Sequence, residues 1–410
     1  MSAESVLQPA VQAKGWKAPL RTSALDWLNF WMADVQTGVG PFVAAALTAR
    51  GWNPAQVGTF LTAGGLTGIA LQTPGGALVD ATRRKRTLIG LGVAAIAVAA
   101  VGLAYGRSFG ALLGSQIVLG AVGALIGPAI TAITLGLVGR ERFDARLGRN
   151  QSFGAAGNVC AALLMGWVGW RYGTRAIFLV VPLLAIPTLW ALSAIPARQI
   201  DYARARGADD GQARGGRGLR LLLQDKALFA FATSAVLFHL ANAAMLPQLS
   251  EMLARGHARL AAPFMSASVS ITQLVIALSA GLAGKLSARW GPRRLLLFGF
   301  GVLPLRGVLY TLTRAVPLLL AIQVLDGIAN AIFGVASAVY VAERTRGSGH
   351  FNLAMGGLAT AVGIGASVST VLAGFVAQRA GFAASFLVLA GIATAAFLCL
   401  WKAVPEANAR

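Results

Sequence analysis

One short stretch restricts what this chain can fold into: Gly76-Ala77-Leu78-Val79-Asp80-Ala81-Thr82-Arg83-Arg84-Lys85-Arg86. It lies between two long apolar segments, 56–79 and 87–105. At about 1.5 Å of rise per residue, each is long enough to cross or nearly cross a hydrocarbon core of about 30 Å. So short a turn forces the two helices into an antiparallel pair. Four consecutive basic residues would be very costly in lipid, so the turn must sit in water, and its charge points to the cytoplasm. A weaker copy, Gly284-Lys285-Leu286-Ser287-Ala288-Arg289-Trp290-Gly291-Pro292-Arg293-Arg294, follows 208 residues later.

The rest of the sequence agrees with a membrane setting. Only 12% of its 410 residues are charged and 56% are hydrophobic, with mean hydropathy +0.68. A soluble domain carries about 25% charged residues. Twelve apolar spans are expected, at 24–48, 56–79, 87–106, 109–138, 151–170, 176–196, 227–250, 263–287, 295–313, 317–342, 352–378 and 383–403. The side of these spans holding both termini has 26 Lys and Arg, the other side 8, and Arg306 falls inside a span. By the positive-inside rule both termini are cytoplasmic. The net charge of +21 is then topology, with a minor role for anionic lipid, and nucleic acid is not an expected partner. Residues 1–23 lack the apolar core and cleavage site of a removable leader. Cys160 and Cys399 fall in spans of different halves, without metal-ligand spacing or an expected disulfide.

The polar stretch 197–226 reads as a flexible linker. The expected organisation is an N-terminal tail 1–23, a six-helix bundle 24–196, the linker 197–226, a second six-helix bundle 227–403 and a tail 404–410. The halves repeat: QIVLGAVGALIG from Gln116 and QVLDGIANAIFG from Gln323 align at an offset of 207, and Pro41 matches Pro247. Such repeats suggest an all-α integral membrane protein of two pseudo-symmetric bundles, with a solute site between them near mid-membrane.

Twelve spans, cytoplasmic termini, a long central loop and this turn together resemble the major facilitator superfamily, whose signature runs Gly-x-Leu-x-Asp-Arg-x-Gly-Arg-Arg/Lys. Gly76, Leu78, Asp80, Arg84 and Lys85 match, while Ala81 and Arg83 depart from it. In the second copy Gly284, Leu286, Arg289, Gly291 and Arg293 match, and Ala288 replaces the Asp. The resemblance implies that these turns latch the halves and open as they rock, with Asp80 pairing across the face and Gly76 allowing close helix approach. The simpler reading is that the basic residues only fix topology. Gln116 stands where many drug/proton antiporters carry Arg, and their Gly-x-x-x-Gly-Pro is missing from the fifth span, so a drug antiporter is not specifically indicated.

Ionisable groups within spans are costly and call for explanation. The resemblance implies that spans one, four, seven and ten line a cavity. Asp34 lies near mid-depth of the first span, on one face with Gly38 and Pro41; it reads as a proton or cation carrier, or as an interhelical hydrogen-bonding group. Gln323, Asp326, Asn330 and Ser337 form a polar stripe on the tenth span, expected to be a cavity wall. His239 and Asn242 share a face of the seventh span, where His239 could relay protons or hydrogen-bond a helix. Gln116, Thr131 and Thr134 offer neutral hydrogen bonding on the fourth. The resemblance implies that Arg306 sits on a peripheral helix, in a structural role, where its long side chain would snorkel or meet a carboxylate from a neighbour; Glu251, Arg255, His257 and Arg259 are expected as a solvated external cluster. Asn158, Gln273, Asn352 and Thr360 read as packing groups, and Glu343 with Arg344 and Arg346 as part of the latch.

No nucleotide-binding loop or hydrolase signature occurs, so neither ATP drive nor an enzyme is expected. The function expected is secondary transport of a small solute across a bacterial inner membrane by alternating access, coupled to protons and directed outward by analogy. Transport of a metal ion or chelate is the alternative, then a transport-inactive sensor. A monomer without cofactors is expected, its partners being solute, protons and lipid.

Overall fold

The computed structural model describes residues 20–37, 40–139, 143–202, 205, 225–345 and 351–406. Within the helices the side chains of Asp34, Asp80, His257 and Asn352 lie outside that description, and so does Arg346.

The described residues are helical almost throughout. In order run α1 (Leu20–Thr37), α2 (Gly40–Ala49), α3 (Pro54–Ala81), α4 (Lys85–Tyr105), α5 (Phe109–Val138), α6 (Phe143–Tyr172) and α7 (Thr174–Ser193). A 3-10 turn at Ala197–Gln199 precedes α8 (Lys226–Asn242), α9 (Met245–Trp290), α10 (Pro292–Leu312), α11 (Val316–Arg344) and α12 (Phe351–Ala403). Nine of the described segments are long and apolar enough to cross a bilayer. At most half of each apolar window is buried inside the protein. The remainder, such as Val98, Ile186 and Leu278, points outward, where only lipid removes it from water.

Two interruptions of helix mark the spans of the second half. The seventh is α8 continued by the start of α9 after a break at Ala243–Ala244. The last two are separate helical stretches of α12 that meet at Gly381, whose φ of 86° only glycine adopts without strain. The start of the linker is also not free. Asp201 donates its backbone N–H to the Gly136 carbonyl at 3.0 Å, and Ile200 and Ala205 are buried.

Helix starts follow local chemistry. Asn53 and Gln56 form a reciprocal capping box at α3. Asp225 caps α8, accepting from the N–H groups of Ala227 (2.8 Å) and Leu228 (3.1 Å), and meets Arg344 at 3.3 Å. Partial burial pushes its carboxyl upward, but the two N–H groups and Arg344 outweigh that and hold it below the usual carboxylate range. The stabilisation is therefore present above the unfolded carboxylate range near pH 4 and lost as pH falls through the lower folded value. Asp225→Ala is expected to cost about 1 kcal/mol at pH 7. In thermal unfolding of the purified protein, its deficit against wild type should shrink as pH drops toward 3.

The pairing of helices repeats between halves. Helix α1 packs on α6 and α7, α3 on α5, and α4 on α5 and α7. The second half mirrors this: α8 packs on α12, α9 on α11, and α10 on α11 and α12. The halves meet mainly through α3 against α12 and α9 against α2 and α6. These contacts are concentrated on the face opposite the two basic turns, called here the far face. There the backbones nearly touch. A Cβ on Gly58 would stand 2.2 Å from the Thr370 carbonyl oxygen, and one on Gly166 2.3 Å from Ser266 Cβ. Thr62 Oγ1 donates to the Ser367 carbonyl at 2.7 Å.

On the turn face each motif is tied into its own half. Buried Lys85 donates to the carbonyls of Val79 and Thr82, the latter at 3.1 Å, and Arg86 to that of Ser193 at 3.1 Å. Arg293 donates to the carbonyls of Trp401 and Val404, both at 2.5 Å, and Arg293 and Arg294 flank Glu406. Arg84 and Arg289 are exposed, and Gly291 (φ 85°) ends α9. The expected close approach at Gly76 is absent: a Cβ there, or on Gly284, would meet nothing within 4 Å. Gly75 has the tight neighbour instead, Leu125 Cδ2 at 3.0 Å. Among the described residues, the tightest contacts between the halves named here thus lie on the far face.

Candidate functional site: a neutral cavity and a buried charge network

Between the halves lies a cavity of about 400 Å³. Its polar lining is Asn29 from α1, Thr131 from α5, Asn150, Gln151 and Asn158 from α6, and Gln273 from α9. All six are neutral hydrogen-bonding groups; Met32, Ala33, Ile130 and Leu147 supply apolar wall. Asn150 stands seven residues into α6 from the turn face and Gln273 near the middle of α9, so the cavity runs from mid-depth toward that face.

The wall is held rigid from behind. Asn150 donates to Thr134 Oγ1 at 3.0 Å and accepts from Arg146 Nε at 3.0 Å. Arg146 in turn meets buried Asp26 at 2.7 Å, and Arg149 grips the same carboxylate through Nε and Nη2. Two guanidiniums on one carboxylate hold it in place, so this cluster joins α1 to α6. The sequence reading named Thr134 on the fourth span, but not Asp26, Arg146, Arg149 or Asn150. The available signal was Asp26 at the start of the first span with Arg146 and Arg149 at the start of the fifth.

The C-terminal half holds a second network, in which Arg306 meets a neighbour's carboxylate and does not snorkel: it is 1% exposed. Its Nη1 donates to Asp326 Oδ1 at 2.6 Å and to Asn242 Oδ1, and its Nε to Tyr310 Oη at 2.9 Å. Tyr310 donates to Gln323 Oε1 at 2.5 Å. Asn330 donates to Asp326 Oδ1 at 2.9 Å and Thr272 to its Oδ2 at 3.2 Å. A buried guanidinium needs a carboxylate and further acceptors, and α8 and α11 supply them from either side.

The expected cavity wall on the tenth span is thus turned inward. Gln323, Asp326 and Ser337 are buried, and the first two face Arg306 and Tyr310 rather than open space. His239 lies beside this network, edge-on to Phe333 at 4.8 Å, with Nε2 buried and unpartnered. Gln116 is not brought to either site: it packs on α3, where a Cβ on Gly64 would lie 2.4 Å from its Nε2. Glu251, expected in solvent, is 3% exposed with Oε2 unpartnered, because α9 continues through that region as helix. Arg255 and Arg259 of the same group are exposed. The sequence reading gathered Asp326, Asn242, Gln323 and Asn330 as candidates, and the structure joins these four; it missed Arg306, Tyr310 and Thr272 as their partners. Asp34 follows Ala33, a cavity-lining residue, but its own side chain lies outside the described residues.

Comparison with known proteins agrees with this architecture. The sequence profile of the Major Facilitator Superfamily matches residues 23–305 and 241–410. An uncharacterized MFS-type transporter of Mycobacterium tuberculosis, found in strains H37Rv and CDC 1551, is 37% identical over 392 residues, covering 95% of this chain and 94% of the relative. Among solved structures, the nucleoside transporter NupG superposes with a TM-score of 0.76 at 16% identity, covering 93% of this chain and 98% of that one. A POT family transporter in complex with 5-aminolevulinic acid gives 0.74 at 14% identity, covering 97% and 98%. At these identities the two structures speak for the fold alone. The chain is a multi-pass membrane protein that belongs to the Major Facilitator Superfamily of transporters.

Proposed function

We propose that this protein is a secondary transporter that carries a small, uncharged, hydrogen-bonding solute through the cavity between its halves, coupled to protons. The observation that carries the reading is the cavity lining: six neutral amide and hydroxyl groups from both halves, with no ionisable side chain among those described there. A charged solute would lose its hydration without a counter-charge, whereas a neutral polar one exchanges water hydrogen bonds for amide ones. The basic turns assign their face to the cytoplasm, so the conformation described is open inward and sealed outward. The two six-helix bundles, 24–196 and 227–403, would then rock about the sealed contacts as the moving parts, with both termini on the cytoplasmic side of an inner membrane.

Proton coupling rests on Asp34, next in sequence to the cavity-lining Ala33, and on Asp326, whose carboxylate joins α11 to Arg306 of α10. The metal alternative is less favoured, because Asp326 faces Arg306 at 2.6 Å, a poor neighbour for a cation. Outward direction follows from family analogy alone.

The test uses everted vesicles acidified inside by respiration and a pH-sensitive dye. Neutral polar compounds, organic cations, organic anions and metal chelates are added singly. A neutral compound should dissipate the gradient with wild type, and should do so at least tenfold more weakly with Asp34→Asn or with Asn150→Ala. Selective response to a charged class would overturn the substrate assignment. Full response by Asp34→Asn and Asp326→Asn alike would overturn the coupling assignment.

A further inference from the structure

On the far face, a second cavity of about 740 Å³ opens between the ends of the N-terminal helices. Arg50, Arg107 and Arg175 line it, together with Trp52, Tyr105 and Tyr172. The far side of the chain has only eight Lys and Arg in all. Three of them converge here, and among the described residues no carboxylate lines the cavity. Such a concentration runs against the charge bias that orients the chain, so topology does not account for it.

The charges are also unbalanced locally. Arg50 donates through Nη2 to the carbonyls of Leu103 (2.6 Å) and Ala104 (3.1 Å), capping the end of α4. Its Nε is buried without a partner. Burial and then the nearby Arg175 hold its guanidinium below the usual range. No ion pair is described for any of the three. The 20-residue helix α7 also begins in this cavity, at Thr174, with no side chain capping its first N–H groups. A guanidinium cluster and an open helix N-terminus favour the same kind of ligand.

We propose that this cavity is an anion site that takes a phosphate-type group. Tyr105 and Tyr172 flank it and are largely exposed, which places it at the level where aromatic side chains meet lipid headgroups. An anionic lipid headgroup and free phosphate share the chemistry the site recognises, and each would relieve the repulsion between Arg50 and Arg175.

The experiment measures thermal unfolding of the full-length detergent-purified protein titrated with phosphatidylglycerol, phosphatidylcholine or inorganic phosphate. Wild type is compared with Arg107→Gln/Arg175→Gln; Arg50 is left intact because it also caps α4. Saturable stabilisation by phosphatidylglycerol and not by phosphatidylcholine identifies a lipid headgroup; equal stabilisation by inorganic phosphate identifies a soluble anion. In either case the double variant should need roughly tenfold more of the anion. Arg83→Gln/Arg84→Gln, on the opposite face, should respond as wild type. The proposal is overturned if neither anion stabilises wild type, or if the arginine pair at 107 and 175 can be removed without weakening the response.

Discussion

Arg306→Met is expected to destabilise the protein by about 3–5 kcal/mol, a large share of the stability of a folded domain. The side chain removed is almost fully buried, and its loss leaves Asp326 with a charge and no cation beside it. Methionine fills much of the arginine stem's volume, so the cost comes from the orphaned carboxylate and not from a cavity. Asp326→Leu should cost a similar amount for the converse reason. In the double variant Arg306→Met/Asp326→Leu the two losses should not add, because neither charge remains to be orphaned. A denaturant or thermal series on the four proteins gives the coupling energy directly. Strictly additive losses would mean that the pair is not a unit, and the network would then be a set of independent hydrogen bonds.

That pair also marks the limit of what the sequence disclosed. The apolar spans, the basic turns and the repeat were legible because each follows from local chemistry: burial in lipid, charge in water, and a fixed offset between equivalent residues. The join between the last two spans was legible too, at 379–382, where Gln378 and Arg379 precede Gly381; the break at Ala243–Ala244 inside the seventh was not, because alanine is a good helix former. For the site, helical periodicity placed Gln323, Asp326 and Asn330 on one stripe and was right. Periodicity does not say what the stripe faces, and a polar stripe reads equally as cavity wall or as the complement of one buried cation on another helix. Arg306 was 20 residues away in sequence from Asp326, across a turn, and Arg306 with Tyr310 four residues later was the one hint that span nine had a polar face of its own. The neutral cavity was harder still. Asn29, Asn150 and Gln151 lie near span ends, where polar residues need no special explanation, so only their convergence in space marks them.

The glycine contacts of the far face lead to the second large effect. Gly58→Val is expected to reduce transport by at least tenfold while leaving the protein folded. The atom that a Cβ would strike is the Thr370 carbonyl oxygen, 2.2 Å away, with Thr370 C at 2.9 Å and Val371 Cα at 3.1 Å. These are backbone atoms, so no rotamer change makes room and α3 must move away from α12. The strain falls on the sealed far face, and a penalty of about 1–3 kcal/mol there shifts the equilibrium toward far-face opening by roughly 5- to 150-fold. Gly166→Val should act in the same direction, since its neighbour Ser266 brings Cβ to 2.3 Å across the other seam. Gly76→Ala is the contrasting case: nothing lies within 4 Å of the added atom, so it should leave this conformation undisturbed and slow transport only through the state in which the turn face closes. Spin labels on Gln56→Cys and Arg379→Cys, in a background with Cys160 and Cys399 replaced by serine, would report the far-face separation. The label distance should lengthen in Gly58→Val and Gly166→Val and stay unchanged in Gly76→Ala. An unchanged distance with unimpaired transport in Gly58→Val would show that α3 and α12 do not form the outer seal, and the rocking of the halves would then have to pivot elsewhere.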